Sequence, residues 1–231
     1  MRPLACLIVT LGLLGLAARA LAADAPPADA PVAVNDREAA YQTLLAQAKA
    51  TAPNADWQAL RIAYAQRPNF RVFSQSAAKR DMFVAAERSD CAAALPEAKA
   101  VIAETYVDAD AHMVAAFCEE NAGQTAAAAL DRDIGRGLIA SIETGDGLTA
   151  AGAFTVIDVD EEYSVLRALG VKATSQSLVH EGGHAYDVLA TVDDKGQSAT
   201  YYFLIDRVLA AEAAALQPGS VSEGGPPDRT P

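Results

Sequence analysis

Two alanine-rich stretches decide the fold: SDCAAALPEAKAVIAETYVDADAH at residues 89–112 and GQTAAAALDRDIGRGLIASI at residues 123–142. Each begins with a turn residue, Ser89 or Gly123, and these two residues are 34 positions apart. Ala94 and Ala128, which follow the turns at the same distance, are also 34 positions apart. A small residue at one recurring helix position allows close helix crossing, so the pattern predicts stacked helix pairs.

A period of 34 residues is typical of tetratricopeptide helix pairs. The aromatic and Leu-Gly positions of that repeat are poorly kept, because His112 and Ala115 stand where Trp and Leu are usual. We therefore expect tetratricopeptide-like pairs and not a regular array. The alternative is another kind of helical bundle with a coincidental spacing. A stack this short needs a further element to cover its end.

Apolar side chains recur at helical spacing throughout residues 36–147, which predicts a helical region. The stripes are Tyr41, Leu44, Leu45 and Ala48; Trp57, Leu60 and Tyr64; Leu95, Ala98 and Ile102; Met113, Ala116 and Phe117; and Leu130, Ile134, Leu138 and Ile142. A further short helix is predicted at residues 82–88. Pro53 and Pro68 interrupt the pattern, and Asp56 is a predicted N-cap.

Residues 148–216 predict a small β-α-β-β-β unit that packs on the helices. Short runs of β-favouring residues occur at 154–157, 172–179, 185–192 and 200–205, and a helical stripe at 161–169 separates the first two. Asp-Asp-Lys-Gly-Gln at 193–197 is typical of a hairpin turn. The predicted fold class is therefore α+β.

Both ends of the chain predict segments outside the folded part. Residues 1–22 combine Arg2, a short apolar run and Ala20-Leu21-Ala22, which is the pattern of a cleavable signal peptide. The alternative is an N-terminal membrane anchor, although the run is short for one. Residues 23–35 predict a flexible leader and residues 217–231 a disordered tail. We therefore expect an exported protein, periplasmic or secreted.

The charge balance excludes several partner classes. The chain carries 18 Lys+Arg against 30 Asp+Glu, a formal net charge of −12, which becomes more negative when Arg2 and Arg19 leave with the signal peptide. Such an acidic chain does not favour nucleic acid or anionic membrane surfaces. Without another long apolar run, we expect a soluble mature protein with no stable membrane insertion.

Cys91 and Cys118 remain in the mature chain, and an oxidising compartment would allow one disulfide between them. In stacked helix pairs, Cys91 begins one helix and Cys118 lies late in the antiparallel neighbour. A bridge is therefore compatible with the predicted fold. The alternative is two small buried residues in a helical core.

The pentapeptide His180-Glu181-Gly182-Gly183-His184 matches the zinc peptidase motif H-E-x-x-H. On a helix, His180 and His184 would bind zinc and Glu181 would activate water. Adjacent glycines disfavour a helix and favour a tight hairpin turn. We therefore predict a turn and no metal or other cofactor, with a zinc-dependent hydrolase or peptidase as the alternative.

No other catalytic constellation is evident, so we expect a non-enzymatic interaction or envelope-associated scaffold. Its partner would be a protein or peptide, and the sequence leaves the oligomeric state open. The predicted partner groove lies between the helix of Trp57, Arg61 and Tyr64 and the helix of Met113 and Phe117.

Several stretches resemble an uncharacterised bacterial family of exported proteins classed only as a domain of unknown function. They are DWQALRIAY at 56–64, YVDADAH at 106–112, GDG at 145–147, EEYSVLRALG at 161–170 and GHAYDV at 183–188. The resemblance covers about residues 36–206, and His180 and Glu181 are not part of the family pattern. It implies no substrate, cofactor or catalytic residue.

Overall fold

The computed structural model describes residues 34–72 and 76–216. The predicted signal peptide at 1–22 and tail at 217–231 lie outside the described residues, as does the leader except for its last two positions. Those two positions already belong to the first helix. No helix within the described ranges is long and apolar enough to cross a membrane.

The described residues contain eight α-helices, six of them in the predicted helical region. They are α1 (Val34–Thr51), α2 (Trp57–Ala65), α3 (Ala77–Glu87), α4 (Cys91–Glu104), α5 (Ala109–Asn121), α6 (Thr125–Ile142), α7 (Val159–Leu169) and α8 (Asp206–Ala215). The helix α8 was not predicted, because its alanine-rich sequence lacks a clear apolar stripe.

Side-chain caps fix the start of most of these helices. Asp56, Ser76, Asp90, Asp108 and Asp158 each accept a hydrogen bond from the backbone N–H three residues further on. A capping side chain of this kind contributes about 1 kcal/mol to helix stability. The cap predicted at Asp56 is confirmed.

The turns before α4 and α6 repeat one another after 34 residues. Ser89 and Gly123 both have positive φ angles, 55° and 73°. In both turns the next N–H donates to the carbonyl five residues back, at 3.0 Å in the first and 2.8 Å in the second. Ala94 and Ala128 are fully buried where helices cross. Successive helices from α3 to α6 pack on one another, as the spacing predicts.

The C-terminal strands form one mixed sheet in the order β1-β4-β3-β2. The strands are β1 (Phe154–Thr155), β2 (Val171–Glu181), β3 (His184–Asp193) and β4 (Ser198–Leu204). The strand β1 is parallel to β4, and the other neighbours are antiparallel. Since α7 connects β1 to β2, the predicted β-α-β-β-β order and the α+β fold class are confirmed.

The sheet and the helical region share a hydrophobic core. Leu189 and Phe203 on the sheet pack with Val165 and Leu166 of α7, and Ile142 at the end of α6 belongs to the same cluster. The sheet unit therefore covers the apolar end of the short helical stack, which a stack of so few repeats would otherwise expose to solvent.

Candidate functional site

The H-E-x-x-H pentapeptide forms the turn between β2 and β3. Gly182 and Gly183 have φ angles of 61° and 87°, in the left-handed region that favours glycine. Glu181 pairs with His184 across the hairpin, so the two histidines lie on different strands. The predicted turn is confirmed, and the helix that a zinc peptidase needs at this position does not form.

His184 instead holds the start of α8 against the start of β3. Its Nδ1 lies 2.5 Å from Asp206 Oδ2, and the N–H of Ala185 donates to Asp206 Oδ1 at 2.9 Å. The hydrogen bonds from Ala185 and His184 lower the pKa of the Asp206 carboxyl. In the part of the chain that the structure describes, no three His, Cys, Asp or Glu side chains are grouped to hold a metal ion.

Arg61 is a buried structural residue, with 1% of its surface exposed. Its guanidinium donates two hydrogen bonds to Glu161 of α7, at 2.7 and 2.5 Å. It also donates to the carbonyl oxygens of Ser141 and Thr155, at 2.9 and 3.0 Å. One side chain therefore ties α2 to α6, α7 and β1.

Trp57 and Tyr64 also turn inward. Trp57 packs against Gly137 of α6, where any side chain would collide with the indole, and its N–H donates to the Pro53 carbonyl at 3.2 Å. Tyr64 hydrogen-bonds Thr105 at 3.1 Å. The groove predicted between α2 and α5 therefore does not form, because the apolar stripe of α2 faces the core.

Met113 and Phe117 line an open groove between α3, α5, α6 and α7 instead. The groove has a volume of about 540 Å³. Met113 is 40% exposed and Phe117 51% exposed, so both present apolar surface to solvent. The other apolar lining residues include Phe83, Ala86, Val114, Ile139, Ala140 and Ala168. This volume lies within the range of ligand-binding clefts, which also have mostly apolar linings.

The charged side chains of the groove fall into two groups. Asp110 and Arg167 form a two-pronged ion pair, with nitrogen–oxygen distances of 3.0 and 2.5 Å, and Arg167 also stacks over Phe83. Arg136 on α6 and Glu143, the C-cap residue directly after α6, have no ion pair or side-chain hydrogen bond within the described residues. The groove thus offers one free cation and one free anion beside an apolar wall.

A disulfide ties α5, which carries part of this wall, to the neighbouring helix α4. Cys91 at the start of α4 is bonded to Cys118 near the end of α5, with the two Cα atoms 5.0 Å apart. Cys118 directly follows Phe117, so the bridge restrains the backbone that presents this aromatic ring.

Lys79 of α3 is the centre of a partly buried polar cluster. Its ammonium lies 2.8 Å from Asp108 and 2.8 Å from Asp160. Burial lowers the pKa of Lys79, but the two carboxylates outweigh it and the net pKa is raised. Burial and the charge of Glu161 raise the pKa of nearby Asp158 to about 8. The cluster joins α3, α5 and α7 and leaves little free space.

His112 is buried inside the helical stack. Its Nδ1 lies 2.6 Å from Asp131 of α6 and its Nε2 lies 3.0 Å from the Tyr106 carbonyl. Burial raises the pKa of Asp131, but hydrogen bonds from His112 and Lys99 lower it more strongly. These contacts cross-link α4, α5 and α6.

Glu162 of α7 is fully buried against the sheet, close to Asp187 of β3. Burial and the nearby Asp187 carboxyl raise the pKa of Glu162 to about 9. Gln176 on β2 donates a hydrogen bond to Asp187 at 2.7 Å. This carboxyl pair is closed off from solvent, so it bears on stability and its pH dependence.

Only one wall of the groove was predicted from the sequence. Met113 and Phe117 were among the predicted groove residues, but Arg136, Glu143 and Arg167 were not. A usable signal was present for two of them, because Arg136 and Glu143 are seven residues apart and therefore share a face of α6. Which face stays open depends on how α3 and α7 pack, and the sequence alone does not reveal it.

Comparison with known proteins places the chain in a family. The profile of a domain of unknown function, DUF4919, matches residues 31–214, so the chain belongs to that family. The resemblance to a family of unknown function is thereby confirmed. No curated protein matches the chain, and no solved structure does.

Proposed function

We propose that this member of the DUF4919 family is an exported, non-enzymatic binding protein that holds an apolar peptide segment of a partner protein in the groove. The observation that carries the proposal is the groove of about 540 Å³, with Met113 and Phe117 exposed in its wall. Exposed apolar side chains that cluster around a concavity are typical of recognition sites.

A peptide suits this groove for two reasons. The site is open along the surface and is built from α3 and α5 of the stacked pairs together with α6 and α7. Such helical walls accept apolar side chains spaced along one strand or helix of a partner. Its volume accommodates roughly three or four such side chains.

The disulfide between Cys91 and Cys118 supports export, because such bonds persist in oxidising compartments. The signal-peptide pattern at residues 1–22 supports it independently. The binding role requires no cofactor. Metal analysis of the purified protein checks this, because stoichiometric zinc lost on His184→Ala would favour a hydrolase.

The neutral octapeptide acetyl-QALLAFLQ-amide tests the binding role by calorimetry on the disulfide-bonded protein. We expect measurable binding that weakens at least tenfold in F117S, because the serine removes an apolar contact surface. L130S is the matched control, since Leu130 is 48% exposed on α6 and does not line the groove. Equal weakening in both variants, or no binding to the unmodified protein, would overturn the proposal.

A further inference from the structure

Arg136 and Glu143 are the two charged groove residues that lack a partner within the described residues. The other charged pair of the groove, Asp110 and Arg167, is already neutralised internally. Elsewhere on α6, Arg132 pairs with Glu120. Arg136 and Glu143 are exposed instead, so both side chains remain open to a ligand.

Arg136 and Glu143 are separated by seven positions in the sequence. This is about two helical turns, or roughly 10 Å along the axis of α6. Ala140 lies between them on the same face and lines the groove. Its small side chain leaves the space between the two charges free for apolar groups.

The position of Glu143 has no evident structural benefit. It is the C-cap residue of α6, where the negative end of the helix dipole disfavours a carboxylate. Arg136, in turn, is an unpaired cation in a chain with a net charge of −12. Both side chains are exposed, so their charges are available to a ligand that enters the groove.

We propose that the peptide segment bound in the groove carries an acidic residue that pairs with Arg136 and a basic residue that pairs with Glu143, with apolar residues between them. This inference rests on the proposed binding function and adds the charge pattern of the ligand. The two charges would be about 10 Å apart, as in a helical segment with acidic and basic residues seven positions apart.

Four blocked octapeptides separate the contributions: QALLAFLQ, EALLAFLQ, QALLAFLK and EALLAFLK. We expect the doubly charged peptide to bind about three- to tenfold more tightly than the neutral one, as two solvent-exposed ion pairs would give. The gain should shrink in 1 M salt, because screening weakens exposed pairs. In R136Q the gain from the acidic residue should vanish, and in E143Q the gain from the basic residue should vanish.

R132Q is the matched control, because Arg132 lies on the same helix and does not line the groove. Its affinity for all four peptides should equal that of the unmodified protein. If the charged peptides bind no more tightly than QALLAFLQ, or if the gains survive in R136Q and E143Q, the charge pattern is wrong while the binding role stands. If QALLAFLQ itself does not bind, the proposed function fails and this inference fails with it.

Discussion

Arg61 illustrates how a single buried charge can join separate parts of a chain. It lies in the middle of α2, yet its donors reach Glu161 of α7 and carbonyl oxygens at the end of α6 and on β1. The Glu161 carboxylate also accepts the N–H of Ile157 at 2.9 Å. Removing either partner would leave a buried charge without compensation.

Arg61→Ala should therefore lower the free energy of unfolding by roughly 3 to 5 kcal/mol, as expected when one member of a buried ion pair is deleted. Urea denaturation measures the change. Arg80→Ala is the control, because Arg80 is exposed and should alter stability by no more than about 0.5 kcal/mol. A loss below about 1 kcal/mol for Arg61→Ala would contradict a structural role.

Glu162 sets a pH dependence of stability. Its pKa is about 9 in the folded protein against an ordinary value of 4.5, so the folded state binds the proton more tightly. The stabilisation is complete below pH 4.5 and is lost as the pH rises towards 9. Between pH 5 and pH 8, ionisation of this single carboxyl would lower the free energy of unfolding by up to about 4 kcal/mol. The raised pKa of Asp158 acts in the same direction.

Glu162→Gln should flatten this dependence, because the amide replaces the protonated acid and does not ionise. The variant should match the unmodified protein near pH 5 and be more stable at pH 8. Thermal unfolding at both pH values tests this, with Glu87→Gln, an exposed change on α3, as the control. Parallel pH profiles for the variant and the unmodified protein would show that Glu162 ionises normally.

At the scale of elements, the disulfide links the start of α4 to the end of α5 across 27 residues of sequence. A closed loop of this length restricts the unfolded chain by about 3 to 4 kcal/mol in the loop-entropy model. Replacing both cysteines by serine should lower stability by a comparable amount. Hydrogen exchange should increase at the adjoining ends of α4 and α5, and unchanged exchange there would contradict the pairing.

Local chemistry explains why the elements could be predicted while the groove could not. The caps, the paired glycines at 182–183 and the turn residues Ser89 and Gly123 are each encoded within a few residues, so the bounds of helices and strands follow from them. The helix α8 escaped prediction because it is rich in alanine and is held by a distant contact between His184 and Asp206. Burial of Arg61 likewise depends on partners far away in sequence.

At the scale of the whole molecule, a small sheet covers the end of a short helical stack in an acidic chain. The change of period near residue 148 predicted this architecture. The predicted position of the groove was wrong, because an apolar stripe identifies the buried face of a helix but not the neighbouring helices that leave another face open. Which face of α5 and α6 stays open depends on how α7 packs beside these two helices.

The proposed export has a direct test on the whole chain. Expression of the full sequence in a bacterial host should yield a periplasmic or secreted protein whose first residue is Ala23, as the Ala-Leu-Ala pattern predicts. Amino-terminal sequencing of the purified protein measures this. An intact Met1 on a cytoplasmic product would contradict export.

The measurement closest to the central claim is the backbone NMR spectrum of the disulfide-bonded protein during titration with acetyl-QALLAFLQ-amide. We predict saturable shifts confined to groove residues of α3, α5, α6 and α7, with Met113 and Phe117 among the largest. Shifts centred on the β2–β3 turn, or a spectrum that does not change, would contradict the assignment of this groove as the binding site.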